Sequence, residues 1–232
     1  MTIAVHSLFI KSGRVHRAVP IVALLLFAGM SNACLAGMTW SARAIDPALI
    51  GALKSNTDLL RSTLFGDESD LAADLPADGG RVNLSNGNLA DRLAAWEQKR
   101  AAEVGDTAVE LDKAWHGIHY LLAGSADPTG SVASNAIMGG DAIGPDDGYG
   151  PARVLMPAMV RKIAKLLAAT TPEILARRFD PKAMTRARIY PDVIWEREGA
   201  QALDYLLDYY KQLVAFYARA ASRGQAVICV IS

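Results

Sequence analysis

Apolar and polar positions alternate through GMTWSARAI, residues 37–45, a period-two pattern of β-favouring side chains that predicts an opening strand. The period then changes. Asp46-Pro47 supplies a helix N-cap with proline at the first helical position, and ALIGALKSNTDLLRSTLF repeats apolar residues at helical spacing. That predicts a helix or a broken pair ending near Gly66. Residues 66–88 are rich in Asp, Gly, Asn and Ser and read as a loop, whereas LADRLAAWEQKRAAE, residues 89–103, reads as a helix. Asp106 or Thr107 caps a stronger helix that runs through DKAWHGIHYLL to Leu122 and stops at Gly124.

Residues 124–150 hold many turn formers around one small apolar patch and read as a long loop, a kind of segment that is usually functional or mobile in a compact domain. PARVL, residues 151–155, predicts a short strand. MPAMVRKIAKLLAA follows as an amphipathic helix with Val160, Ile163, Leu166 and Leu167 on one face, then TPEILARRF with its own cap at Thr171 and Pro172 behind it. DPKAMTRARIYPDVIW reads as mostly irregular. The last helix, about 197–222, carries the stripe Leu203, Leu206, Leu207, Tyr210, Leu213, Val214, Tyr217 and ends on Arg219, Arg223 and Gly224, cations before glycine. QAVICVI is almost entirely apolar, which predicts a central strand covered on both faces. No internal repeat is present. Helices outnumber strands and both ends of the domain are strands, so the predicted class is α+β: one domain of several helices on a small sheet that includes the first and last strands.

The first 36 residues break this pattern. Lys11, Arg14 and Arg17 precede the apolar run AVPIVALLLFAGM and then the small residues SNACLAG, the order of a secretory signal peptide. The run falls short of the roughly 20 apolar residues of a membrane-spanning helix. The expected domain division is therefore a leader, 1–36, and an α+β domain, 37–232, with cleavage after Ala33 or Ala36 and a periplasmic product. Cys34 is a weak lipidation candidate, because SNAC has serine where leucine is usual, and contact with the membrane is expected only through that lipid. The competing reading is a start assigned too early, with the protein beginning near Met38.

Charge and cysteine content narrow the function classes. The 24 basic and 24 acidic side chains balance, and removal of the three leader cations leaves 21 against 24. A mildly acidic domain argues against nucleic acid, whose phosphates require a basic face. Cys34 and Cys229 are the whole cysteine supply, so no disulfide framework is expected. Cys229, within an apolar strand, reads as a small buried side chain.

Two stretches concentrate chemistry. On a helix, Asp112, His116 and His119 project to one side, a spacing compatible with a metal site. The helical zinc signature instead places its histidines four apart with a glutamate between, and that is missing. The same register puts Trp115, Ile118, Leu121 and Leu122 in the core and His116 and His119 at its edge, where a histidine can be purely structural. The second stretch, GPDDGYGPARVL, sets Asp146 and Asp147 in a tight turn before Tyr149; it reads as an Asx-type turn or as a surface loop presenting Tyr149 to a partner. The oxygen ligands of a calcium loop are lacking. No nucleophile elbow occurs, and MGGDAIG lacks the lysine and spacing of a phosphate loop, so no cofactor and no metal are predicted. Tyr190 and Trp195 of RIYPDVIW read as packing residues in preference to recognition residues.

Taken in order, GMTWSARAI, LDKAWHGIHYLL, DDGYGPARVL, FDPKAM, IYPDVIW and the tyrosine-rich helix with its closing apolar strand resemble the YfbM-like family, a bacterial domain of unknown function. The resemblance covers Gly37 to the end and implies a single α+β domain without an established activity. Members begin at the equivalent of Gly37-Met38; the leader here is a departure that implies an exported version. Two functions follow as expectations. One is a non-catalytic periplasmic binding protein whose partner is another protein, such as the cognate toxin of an immunity-type inhibitor, with Trp115, His116, His119, Asp146, Asp147 and Tyr149 as candidate binding residues. The other is a small envelope hydrolase or ligand-binding enzyme using His116 or His119 as general base with a carboxylate such as Asp147 behind it.

Overall fold

Asp46 ends the first strand and starts the first helical segment with one atom: its Oδ1 accepts the Ala48 N–H at 2.8 Å, the N-cap bond that Asp-Pro foreshadows. In the computed structural model, residues 37–65 and 106–232 are described, and all belong to one compact unit, residues 37–232. The leader with Cys34, the 66–88 loop and the 89–103 helix lie outside the described residues.

Strand β1 (Trp40–Ile45) is followed by a 3₁₀ turn (Pro47–Leu49) and two short helices, α1 (Ile50–Ser55) and α2 (Thr57–Phe65). This is the broken pair that the pattern allows, split at Asn56, whose Oδ1 caps α2 by accepting the Leu59 N–H. The next stretch corrects an expectation. Ala108–Glu110 is not the start of a helix but strand β2, paired antiparallel to β1, because Ala108 and Val109 are buried against the sheet. Asp112 then takes a left-handed conformation, φ +45, in a 3₁₀ turn (Asp112–Ala114), and helix α3 begins only at Trp115 and ends at Ala123. Gly124 closes α3 with φ +70, as its sequence position requires.

Residues 124–150 likewise are more than a loop. Ser131 caps helix α4 (Val132–Met138) by accepting the Ser134 N–H, and Asp141–Asp146 forms strand β3. Its pattern is too thin to read: Ile143 is its one buried residue. Strand β4 (Pro151–Leu155), helix α5 (Pro157–Ala169) and helix α6 (Pro172–Arg178) follow as predicted. The segment expected to be irregular contains α7 (Pro181–Arg186) and α8 (Ile194–Glu198). Asp180 accepts the Ala183 N–H to cap α7, the same Asp-Pro device as at 46–47. The long helix α9 (Ala200–Ser222) and strand β5 (Ala226–Ile231) complete the domain.

The sheet order is β2-β1-β5-β4-β3, antiparallel throughout, with β5 at its centre between β1 and β4. Alternate residues of β5 enter different cores. Val227 and Cys229 join a large cluster with Trp115, Ile118, Ile163, Trp195, Tyr210 and Tyr217, while Ala226 and Ile228 join a smaller one with Leu53, Leu60 and Leu64. The fold is therefore α+β in three layers: helices α3–α9 on one face, the sheet, and the α1–α2 pair on the other. The antiparallel register brings Trp40, Glu110, the 146–151 turn and the Ile231-Ser232 terminus to one end of the sheet.

Candidate functional site

That sheet end collects most of the chemistry-bearing motifs. Strand β1 enters there through Gly37–Thr39, where the Thr39 N–H bonds the Ser232 carbonyl at 2.7 Å. The indole N–H of Trp115, 4% exposed, donates to the Met38 carbonyl at 3.2 Å and fastens α3 to the start of β1. Tyr190 stacks on the same indole with ring centroids 6.2 Å apart. A Cβ at Gly37 would run into the Tyr190 hydroxyl and the Lys113 side chain, so a larger residue there would displace these side-chain ends. Burial pushes the Tyr190 phenol up, with Asp112 and Tyr149 adding to it while a backbone hydrogen bond at Met38 opposes. Tyr205 of α9 donates to Asp112 Oδ2 at 2.9 Å and packs edge-on to Tyr209 at 5.0 Å. Its phenol is held far above the usual range by burial first and the Asp112 carboxylate second.

The two histidines are internal fittings of this end. His116, half-buried, lies flat on Trp115, centroids 4.8 Å apart and 9° from parallel. A backbone N–H can only donate and a carbonyl only accept, so two contacts fix its tautomer: Nδ1 accepts from the Tyr190 N–H at 3.0 Å and Nε2–H donates to the Ala126 carbonyl at 3.0 Å. His119 is fully buried; its Nε2 reaches the Asp127 carbonyl at 3.4 Å, and its Nδ1 has no hydrogen-bond partner. Desolvation lowers the pKa of both rings, against the pull of Asp127. Among the described residues no group of three or more His, Cys, Asp or Glu side chains converges as a metal cage would.

The loop at 146–150 stands apart from them. Asp146 Oδ1 accepts from Gly148 N–H at 2.8 Å and Gly150 N–H at 2.9 Å, an Asx-type turn, and Asp147 forms an ion pair with Arg61 of α2 at 2.8 Å. Tyr149 projects from this braced turn and is 51% exposed. An apolar cleft lies on each side of it. One, about 190 Å³, is lined by Leu60, Leu64, Phe65, Ala152 and Val230; the other, about 250 Å³, by Trp40, Pro128, Ile137, Met138 and Ile231. Neither histidine lines either cleft.

Of the six candidate residues, Trp115, His116 and His119 thus form one internal cluster, while Asp146, Asp147 and Tyr149 form a surface ridge. The end of the 124–150 segment that covers the histidines is Ala126-Asp127, not the end that carries Tyr149. Sequence reasoning missed Lys113, Tyr205 and Gly37 as members of this end and favoured packing over recognition for Tyr190. No local pattern marks them: Tyr205 is joined to this end by its hydrogen bond to Asp112, whose positive φ appears only in the fold.

A comparison with curated proteins found no match. Among solved structures, the chain is similar to the crystal structure of YfbM from Escherichia coli, described as a protein of unknown function, at 20% identity and a TM-score of 0.56 over 84% of this chain and 100% of that chain. At that identity the likeness establishes the fold alone. It agrees with the motif resemblance in the sequence. The profile of the family described as a domain of unknown function, DUF1877, matches residues 37–230, and the chain belongs to that family.

Proposed function

We propose that this protein is an exported, non-catalytic binding protein whose contact surface is the Tyr149 ridge and the two clefts beside it, and that its partner is a protein, most concretely an antibacterial toxin that it neutralises. The observation that carries this reading is the state of Tyr149: a large aromatic half out in solvent on a turn that is already rigid. Such a side chain loses little freedom on binding and offers the amphipathic surface that dominates protein interfaces. The clefts on either side give a partner's apolar side chains somewhere to lodge. The acidity of the turn contributes less than its sequence suggests, because Asp147 is paired with Arg61 and Asp146 accepts bonds within its own turn. The alternative, a hydrolase using a histidine base, finds no support in this geometry: both His116 nitrogens are occupied and His119 is sealed from solvent.

The test is co-expression with a secreted effector encoded in an adjacent reading frame. Wild-type protein and a His116→Asn, His119→Gln double variant should protect the host, while Tyr149→Ala, folded to the same midpoint, should not. Failure of the wild type to protect contradicts the immunity reading, and loss of protection in the histidine variant with the fold intact contradicts the non-catalytic one.

A further inference from the structure

The turn that carries Tyr190, between α7 and α8, is anchored at its base and exposed at its tip. Ile189 and Trp195 are fully buried and joined by a hydrogen bond from the indole N–H to the Ile189 carbonyl at 2.7 Å; the Ile189 N–H bonds Met184 at 3.1 Å. Beyond them Asp192 is exposed and Val193 is 63% exposed. Between base and tip, the Tyr190 N–H is tied to α3 by the lone pair on His116 Nδ1. The bond needs that nitrogen unprotonated. A proton on Nδ1 sets one N–H against another 3.0 Å away, turning the tie into a repulsion and leaving both donors without an acceptor.

From this geometry we infer that His116 is an acid-sensitive latch: protonation of Nδ1 frees the Tyr190 turn, while the core beneath it stays folded. The surroundings resist the proton, so the bond holds until the solution is acid. His119 lies with its ring centroid 6.4 Å from that of His116, and a second proton there is a buried N–H with no acceptor, so the two rings oppose each other's charge. Asp127, from the segment packed over both rings, favours the charged forms, yet desolvation outweighs it at each. Other charged groups near α3 are Asp112, bonded to Tyr205, and Lys113 before its start, and Arg178 of α6 at its far end, bonded to the Leu121 carbonyl; the turn itself carries Arg188 and Asp192. Release of the turn takes Tyr190 off Trp115 and reshapes the sheet end that Tyr149 shares. The latch itself rests on the hydrogen-bond geometry alone and stands whether or not that surface binds a protein.

The test is amide hydrogen exchange on the purified protein between about pH 7.5 and 5.0, corrected for the intrinsic pH dependence. Protection at Tyr190 and Ile194 should fall by about tenfold or more, and by clearly more than the fall in α9 that reports the change in global stability. In His116→Asn the side-chain Oδ1 takes the place of Nδ1 as acceptor and cannot be protonated, so protection should hold; in His119→Gln it should still fall. Constant protection in the wild type, loss in α9 in step with Tyr190, or an equal fall in His116→Asn overturns the latch. Should His116→Asn not fold, ring nitrogen shifts in the wild type decide: opening at Tyr190 must track protonation of His116 Nδ1, and opening while that nitrogen is still bare overturns it.

Discussion

Trp40, Trp195, Tyr210 and Tyr217 each bury a ring in the core and give the polar tip to a main-chain carbonyl. Trp40 donates to Ile137 at 2.9 Å, Trp195 to Ile189 at 2.7 Å, Tyr210 to Thr170 at 2.7 Å and Tyr217 to Ala136 at 2.8 Å. Two of these acceptors lie in the last turn of α4 and one just past the end of α5, where helical carbonyls have no partner of their own. A large apolar body and a single satisfied donor thus fix helix ends as well as fill space. Tyr217→Phe removes only the hydroxyl and strands the buried Ala136 carbonyl; it should lower stability by about 1–3 kcal/mol in urea unfolding. The histidines set the pH response. Both have pKa values below the ordinary 6.5 in the fold, so the unfolded chain takes up protons first as pH falls. Stability is therefore fully present above pH 6.5 and declines below it, and the urea midpoint should drop between pH 7 and 5.5 in the wild type and drop less in His119→Gln. The sequence places Trp115 and Ile118 in the core correctly because both belong to the α3 stripe. It leaves His119 at the edge, because the cover that seals it, Ala126-Asp127, comes from a different segment.

At the level of elements, packing of α3 against α8 and α9 turns on Gly117. A Cβ there would lie 2.7 Å from both Leu206 and Trp195, each fully buried and unable to move aside. Gly117→Ala gains helix propensity yet should cost about 1–3 kcal/mol in net stability by overpacking, measured by the same unfolding titration. A small rise in stability would show that α3 and α9 can slide apart. The elements the sequence reveals are those with many core residues: the α9 stripe, the α5 face and β5, whose unbroken apolar run predicts its central place. Those it hides are short or thinly apolar. Strand β2 is three residues inside a stretch with helix-capping residues on both sides, β3 contributes Ile143 alone, and α7 rests on Met184. For such elements, partners distant in sequence decide the structure, and periodicity carries little of that information. The Asp180-Pro181 cap was nonetheless in plain view, identical in kind to Asp46-Pro47.

For the molecule as a whole, the three-layer arrangement gathers residues 37–40, the Asp112 turn, Tyr190 and the 146–151 turn at one end of a sheet whose central strand is β5. This gathering was legible only in part. The motifs can be read one by one, but their convergence depends on strand register, which no local pattern encodes. The proposed export is tested at residues 1–36. Mass analysis of the protein recovered from its native host should show a mature chain beginning at Cys34 or Gly37, with a diacylated Cys34 if it is anchored; a chain that keeps residues 1–33 contradicts export. The proposed binding rests on the Tyr149 ridge. Calorimetric titration of the purified domain with the protein encoded in the adjacent reading frame measures it directly. The prediction is a saturable one-to-one complex that Tyr149→Ala weakens by at least about thirtyfold, the loss of roughly 2 kcal/mol expected of an interface anchor. No binding by the wild type, or equal affinity in Tyr149→Ala, contradicts it.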